Sequence, residues 1–259
     1  MSEMTAETAT RLDGKVAIVT GGAGGIGSAY CRALATAGAS VVVADLDEAG
    51  AQKVAGEISN EGLAATAIRV DITDVESVAA MAQAAQSTYA GVDILVNNAA
   101  ILDMPFSPLV EYPLDWWDRG FRVNVTGALI CTQAVVPLMR ERGGGKIINQ
   151  SSGGAFTGAG AYGIGKLALV GLTVALAREL GPDRIHVNAI APGMVETEAA
   201  LRSLPRESPL REGLKKSAVM QAFGQPDDLC GALLFLASSA SDWMTGQTLN
   251  VDGGWIFRI

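Results

Sequence analysis

Two side chains, Tyr162 and Lys166, could move a proton if they stood together. A free phenol has a pKa near 10 and is a poor base at neutral pH. An ammonium close by favours the phenolate and lowers that value. The residues are four apart within a helical pattern, which puts them on one face, a turn from each other. Alone, such a pair is more often amphipathic surface with a solvated lysine, so it needs a setting. Ser151-Ser152, at the end of a strand-like run, stands a short way before it and would by itself read as a strand-to-loop turn.

The setting lies near the start of the chain. Thr20-Gly21-Gly22-Ala23-Gly24-Gly25-Ile26-Gly27 follows a strand-like run and opens a helical one. Glycines there permit a tight turn and let backbone N–H groups approach a pyrophosphate at the helix N-terminus. A glycine-rich loop alone is an ordinary turn; its place between strand and helix makes it specific. The next strand ends at Asp45, about 20 residues on, where an acid hydrogen-bonds the adenosine ribose. A carboxylate repels a 2′-phosphate and the loop offers no Arg or Lys, so NAD(H) is expected over NADP(H). The rival role for Asp45 is N-cap of the next helix. Hydride transfer at a carbonyl carbon requires a proton to move at the oxygen, which gives Tyr162 its task.

These residues need a scaffold, and the hydrophobic pattern supplies one. Strand-like runs fall at Lys15–Thr20, Val41–Ala44, Thr66–Val70, Ile94–Asn97, Lys146–Gln150, His186–Ile190 and Thr248–Val251. Helical patterns fall at Gly25–Ala37, Asp47–Asn60, Val75–Tyr89, Leu114 to Arg142, Ala161–Leu180 and Pro226–Ser238. The alternation predicts βαβ crossovers: an α/β, doubly wound Rossmann fold with a seven-stranded parallel sheet and helices on both faces. No composition break divides residues 14–259, which read as one domain. Residues 1–13 read as a flexible tail without the basic start and apolar run of a signal peptide. The stretch 196–224, with Pro205 and Pro209, breaks the rhythm and reads as a lid.

Composition narrows the classes. The 259 residues are 49% hydrophobic and only 5% aromatic, suited to an aliphatic α/β core. A net charge of -8 argues against nucleic acid, since no basic stripe exists to neutralise phosphates. Cys31, Cys131 and Cys230 are too scattered for a metal site and read as reduced, buried thiols in the cytoplasm. The single histidine, His186, lies in a strand, and Ser151-Ser152-Gly153 is no nucleophile elbow, so neither a hydrolase nor a metal site is expected. The apolar stretch Gly153–Ala177 is interrupted by Tyr162 and Lys166 and reads as a buried helix, not a membrane span.

Taken in order, the motifs resemble those of the short-chain dehydrogenases/reductases, from about Lys15 to Gly254. They are Thr20-Gly-x-x-x-Gly25-Ile-Gly27, Asp71-Ile72, Asn97-Asn98-Ala99-Ala100, Asn124, Ser151-Ser152, Tyr162-x-x-x-Lys166 and Pro192-Gly193. The resemblance implies that Gly21, Gly24, Gly25, Ile26 and Gly27 cradle the cofactor with Asp45, that Asp71 and Ile72 flank the adenine, and that Asn98 lies along it. It implies that Val195 and Thr197 hold the carboxamide and that Lys166 also bonds the nicotinamide ribose. Ser152, or Ser151 as the alternative, would hold the substrate oxygen, and Asn124 a water linking Lys166 to solvent. Ala100 stands where the family usually has Gly, and the Ser152–Tyr162 loop is short, which should open one pocket wall.

Apolar residues Ile101, Leu102, Gly154, Ala155, Phe156 and Met194 suggest a small to medium apolar secondary alcohol or ketone. A 3-oxoacyl-thioester reductase is the alternative activity; a cofactor-bound regulator without turnover is the alternative of another class. Arg202, Arg206, Arg211, Lys215 and Lys216, interspersed with Glu207 and Glu212, read as a solvated lid face. Helix 161–180 is apolar nearly all round, and Trp255–Ile259 is an apolar tail. Both are expected at the interfaces of a homotetramer or homodimer.

Overall fold

The computed structural model describes residues 10–105 and 107–258. Its strands are β1 (Val16–Thr20), β2 (Ser40–Asp45), β3 (Ala65–Arg69), β4 (Ile94–Asn97), β5 (Gly145–Gln150), β6 (Ile185–Pro192) and β7 (Thr248–Val251). They form one seven-stranded sheet in the order β3-β2-β1-β4-β5-β6-β7. Every pairing is parallel. The fold is the expected Rossmann-like one.

The helices are α1 (Gly25–Thr36), α2 (Glu48–Asn60), α3 (Val75–Tyr89), α4 (Leu114–Phe121), α5 (Gly127–Glu141), α6 (Gly160–Leu180), α7 (Glu198–Ser203), α8 (Leu210–Ser217) and α9 (Cys230–Ala237). Alternate strand residues point to opposite faces. Ala17, Val19, Val41 and Val43 meet α1, α2 and α9 on one face. Ile18 and Val42 meet α3, α5 and α6 on the other. A sheet covered on both faces needs continuous apolar strands, and β1 is buried at every position.

All strands being parallel, their C-terminal ends open on one edge. There the order reverses between β1 and β4, the place where such sheets bind ligands. Thr20, Asp45, Asn97, Gln150 and Pro192 end their strands on that edge.

Two features depart from the sequence reading, at the long helix and the N-terminal tail, and two add to it. The helix expected from Leu114 to Arg142 is interrupted by a π turn, Arg122–Thr126, between α4 and α5. The stretch 196–224 carries two short helices, α7 and α8. Of the expected flexible tail, residues 1–9 lie outside the described residues, while Leu12 is 2% exposed and bonds its N–H to the Ala37 carbonyl. At the other end, Trp255 is taken up within the chain against Gly153, leaving Phe257 exposed; Ile259 lies outside the described residues.

Candidate active site

The glycine-rich loop is braced from three sides. Gly21 has φ +66, the left-handed region open to glycine. A Cβ at Gly27 would run into the Gly21 carbonyl oxygen, so only glycine lets the first turn of α1 lie this close. A Cβ at Gly25 would meet Thr197 Cγ2 at 3.0 Å across the cleft. Asn98 donates its amide to the carbonyls of Thr20 and Gly21 at 2.9 and 3.1 Å. It therefore fixes the loop rather than standing free beside it. Gly24 is the N-cap residue of α1, and Ile26 packs on the core.

Asp45 closes the third side. Its carboxylate accepts from the N–H groups of Ala23 and Asp47, at 2.9 and 3.0 Å. Its rival role is overturned, because Asp47 caps α2 by accepting from the Gly50 N–H. Asp71 accepts from the Thr73 N–H and hydroxyl, which hold its carboxyl below the usual range. Ile72 is buried against Gly127 at the start of α5. Val195 is buried, and the Thr197 hydroxyl accepts from the Ala200 N–H, capping α7. The cradle fits a dinucleotide, since its narrowest positions are those where a side chain would fill the space.

Across the cleft, β5 delivers the serines and α6 the Tyr/Lys pair. The two serines turn opposite ways, as adjacent extended residues must. Ser151 is 2% exposed and donates to the Lys166 carbonyl at 2.9 Å. Ser152 accepts from the Gly154 N–H at 3.1 Å, and it flanks Gly154 together with Tyr162, close enough to draw the phenol pKa down. Asn124 sits in the π turn, 3% exposed, with its amide spent on the Ile101 backbone: Oδ1 accepts from the N–H at 2.9 Å and Nδ2 donates to the carbonyl at 3.2 Å. The π turn packs against α6 and brings Asn124 to the same side of the sheet.

The electrostatics of Tyr162 and Lys166 correct the sequence reading. Burial is the larger effect and pushes the phenol up to about 12 despite Ser152. Burial also lowers the Lys166 ammonium to about 8. Lys166 Nζ lies 5.7 Å from the Tyr162 ring centroid and donates to the Gln150 carbonyl at 2.7 Å.

Several supporting groups went unread in the sequence. Tyr30 on α1 donates to the Gln150 side chain at 2.9 Å, tying α1 to the end of β5. Asn97 donates to Asn149 at 2.9 Å, and Asn149 donates to Thr173 on α6 at 2.9 Å. The available signal was polar residues within strands that are otherwise apolar. Within 196–224, Arg211 is no solvated residue: it pairs with Glu196 and lies 4.3 Å over the Phe223 ring. Lys216 and Glu212 form an exposed pair at 3.6 Å, in keeping with a solvated face. His186 bonds the Asp242 carbonyl through Nε2 at 2.9 Å, in the strand where it was expected.

A family model described as Enoyl-(Acyl carrier protein) reductase matches residues 21–256. An uncharacterised oxidoreductase of Mycobacterium tuberculosis is 47% identical over 247 residues, 95% of this chain and 99% of its own. Galactitol 2-dehydrogenase of Agrobacterium fabrum is 40% identical over 257 residues, 94% of this chain and 98% of its own. A solved structure of gluconate 5-dehydrogenase from Burkholderia cenocepacia, in complex with NADP and tartrate, matches with a TM-score of 0.91 and 38% identity. That match covers 97% of this chain and 98% of the other.

Proposed function

The chain belongs to the short-chain dehydrogenase/reductase family, oxidoreductases acting on CH–OH donors, and on that premise we propose an NAD(H)-dependent interconversion of a secondary alcohol and a ketone. The carrying observation is that Ser152 and Tyr162 both flank Gly154 beyond the end of β5, with Lys166 one turn along α6. The cradle of Gly21, Gly24, Gly25, Ile26 and Gly27 would hold the pyrophosphate, with Asp45 at the adenosine ribose. Asp71, Ile72 and Asn98 would line the adenine side, and Val195 and Thr197 the nicotinamide side. When bound, the dinucleotide supplies the hydride acceptor or donor.

The chain's own residues handle the proton. Ser152 Oγ holds the substrate oxygen, and the Tyr162 phenol oxygen exchanges a proton with it. With its pKa near 12, the phenol is protonated at pH 7 and ready to donate to a ketone oxygen. Alcohol oxidation needs the phenolate and should therefore quicken as pH rises. At about 8, Lys166 is still largely protonated at pH 7 and can donate to a ribose hydroxyl.

NAD is favoured by Asp45, whose carboxylate is held in place by two backbone N–H groups where a 2′-phosphate would lie. Leu46, beside it, is 58% exposed and offers no cation. Ile101, Leu102, Ala155 and Met194 favour a substrate with an apolar body. The names of the polyol and sugar-acid dehydrogenases above favour a polyhydroxylated one, which is the second reading. The net charge of -8 disfavours docking on an acidic acyl carrier.

The test is NAD- and NADP-linked oxidation of a panel of secondary alcohols containing apolar alcohols, polyols and sugar acids. Expected is NADH formation with kcat/KM at least about tenfold above that for NADP, the worth of one charged hydrogen bond. A preference for NADP would overturn the cofactor assignment. No turnover in either direction with any member would overturn the function.

A further inference from the structure

After β7 the chain turns back across the site. Asp252 lies against Gly193, where a Cβ would come within 2.9 Å of its own. Its carboxylate accepts from the N–H groups of Gly254, Trp255 and Ile256, which holds the turn shut. Gly253 and Gly254 have φ of 63° and 79°, a conformation that glycine adopts without strain.

This turn lays the Trp255 ring on Gly153, the residue after Ser152. A Cβ at Gly153 would sit 2.8 Å from the ring atoms Cε3 and Cζ3 and 3.3 Å from the Pro192 carbonyl. Farther on, Arg258 sets its guanidinium 4.6 Å from the centre of the Phe156 ring, at the other end of the 3-10 turn Gly153–Phe156. The lid joins the same structure from outside. Met220 and Val219 donate their N–H groups to the carbonyls of Gly253 and Gly254 at 2.9 and 3.3 Å.

Gly153 and Gly154 have no side chains with which to anchor their own turn, and glycine has the most backbone freedom to lose. Ser152 and Thr157 close the turn from within through Gly154, which leaves Gly153 to be held by contact from outside. A broad, stiff indole face, held by the Asp252 turn, is suited to that. We propose that Asp252–Arg258 is an intramolecular clasp that keeps Ser152 in register with Tyr162 and couples that register to the lid, with Trp255 as the positioning residue. The proposal rests on the reading of Ser152 and Tyr162 given above.

The experiment compares Trp255→Leu, Trp255→Phe, Gly153→Ala and the double variant Gly153→Ala/Trp255→Leu in steady-state oxidation, with NAD binding measured by calorimetry. A misplacement of about 1 Å costs up to about a hundredfold in rate. Trp255→Leu should therefore lower kcat by about tenfold to a hundredfold with NAD binding unchanged, while Trp255→Phe retains most of the activity. Gly153→Ala drives a methyl into the indole and should lose a comparable factor. In the double variant the methyl has room, so activity should be no lower than in Trp255→Leu.

Wild-type kcat and KM in Trp255→Leu would overturn the clasp, as would losses that multiply in the double variant. Should Trp255→Leu fail to fold, Gly153→Ala with full kcat would overturn it too. Tyr162→Phe runs beside them: activity surviving in that variant overturns the reading beneath the proposal, whereas its loss beside a wild-type Trp255→Leu overturns the clasp alone.

Discussion

Lys166 is 2% exposed, and burial lowers its pKa from the usual 10.5 to about 8. Holding the charged form inside thus costs the folded state about 3 kcal/mol at neutral pH. The bond to the Gln150 carbonyl offsets part of this, since a charged hydrogen bond is worth about 1.5 kcal/mol or more. Methionine has nearly the same shape and no charge to desolvate. Lys166→Met should therefore be inactive yet more stable by about 1–2 kcal/mol at pH 7, a rise of roughly 2–4 °C in Tm per kcal/mol.

The pH dependence gives the sign. Below pH 8 the lysine is charged in folded and unfolded chains alike, and the burial cost is full. Between about 8 and 10.5 the folded lysine has lost its proton while the unfolded one keeps it, so wild-type stability rises with pH through this group. The advantage of Lys166→Met should shrink across that window. Urea unfolding of both cofactor-free proteins from pH 7 to 9.5 measures it. A variant less stable than wild type at pH 7, or an advantage that does not shrink, would refute the reasoning.

Three further outcomes are expected. Gly27→Ala should weaken NADH binding by roughly two orders of magnitude, about 3 kcal/mol, because its methyl meets the Gly21 carbonyl; unchanged binding in a fluorescence titration would count against the cradle. Asp45→Asn removes the charge but keeps the shape, so KM for NAD should rise about tenfold and the bias against NADP should narrow; kinetics with both cofactors check this. On α6, Leu167 and Val174 are 48% and 39% exposed, and we propose that they meet a second subunit. Leu167→Arg should then lower the mass seen by light scattering, and a monomeric wild type would contradict it.

The sheet was legible because each strand is a short apolar run set between helical patterns, and two-sided burial demands that pattern. Tyr162 and Lys166 were legible because helical spacing is local. What escaped depends on contacts far apart in sequence. The π turn at Asn124 shows no break in hydrophobic period, and α7 and α8 are short polar helices buried at no position. The direction of the Tyr162 pKa could not be read from spacing, since it is set by desolvation in the folded chain. Tyr30–Gln150 joins residues 120 apart, and only the fold brings them together. Trp255 was legible as an apolar residue needing cover, but not that Gly153 provides it.

The most direct test of the central claim is single-turnover NADH formation from a secondary alcohol that wild type oxidises, compared between wild type and Tyr162→Phe. Removing one hydroxyl leaves the cradle, Ser152 and Lys166 in place but takes away the group that exchanges the proton. NAD should bind both proteins equally, and the hydride step should fall by about 10²–10⁴-fold in the variant, the usual worth of a positioned acid or base. A Tyr162→Phe protein that transfers hydride at the wild-type rate would contradict the account.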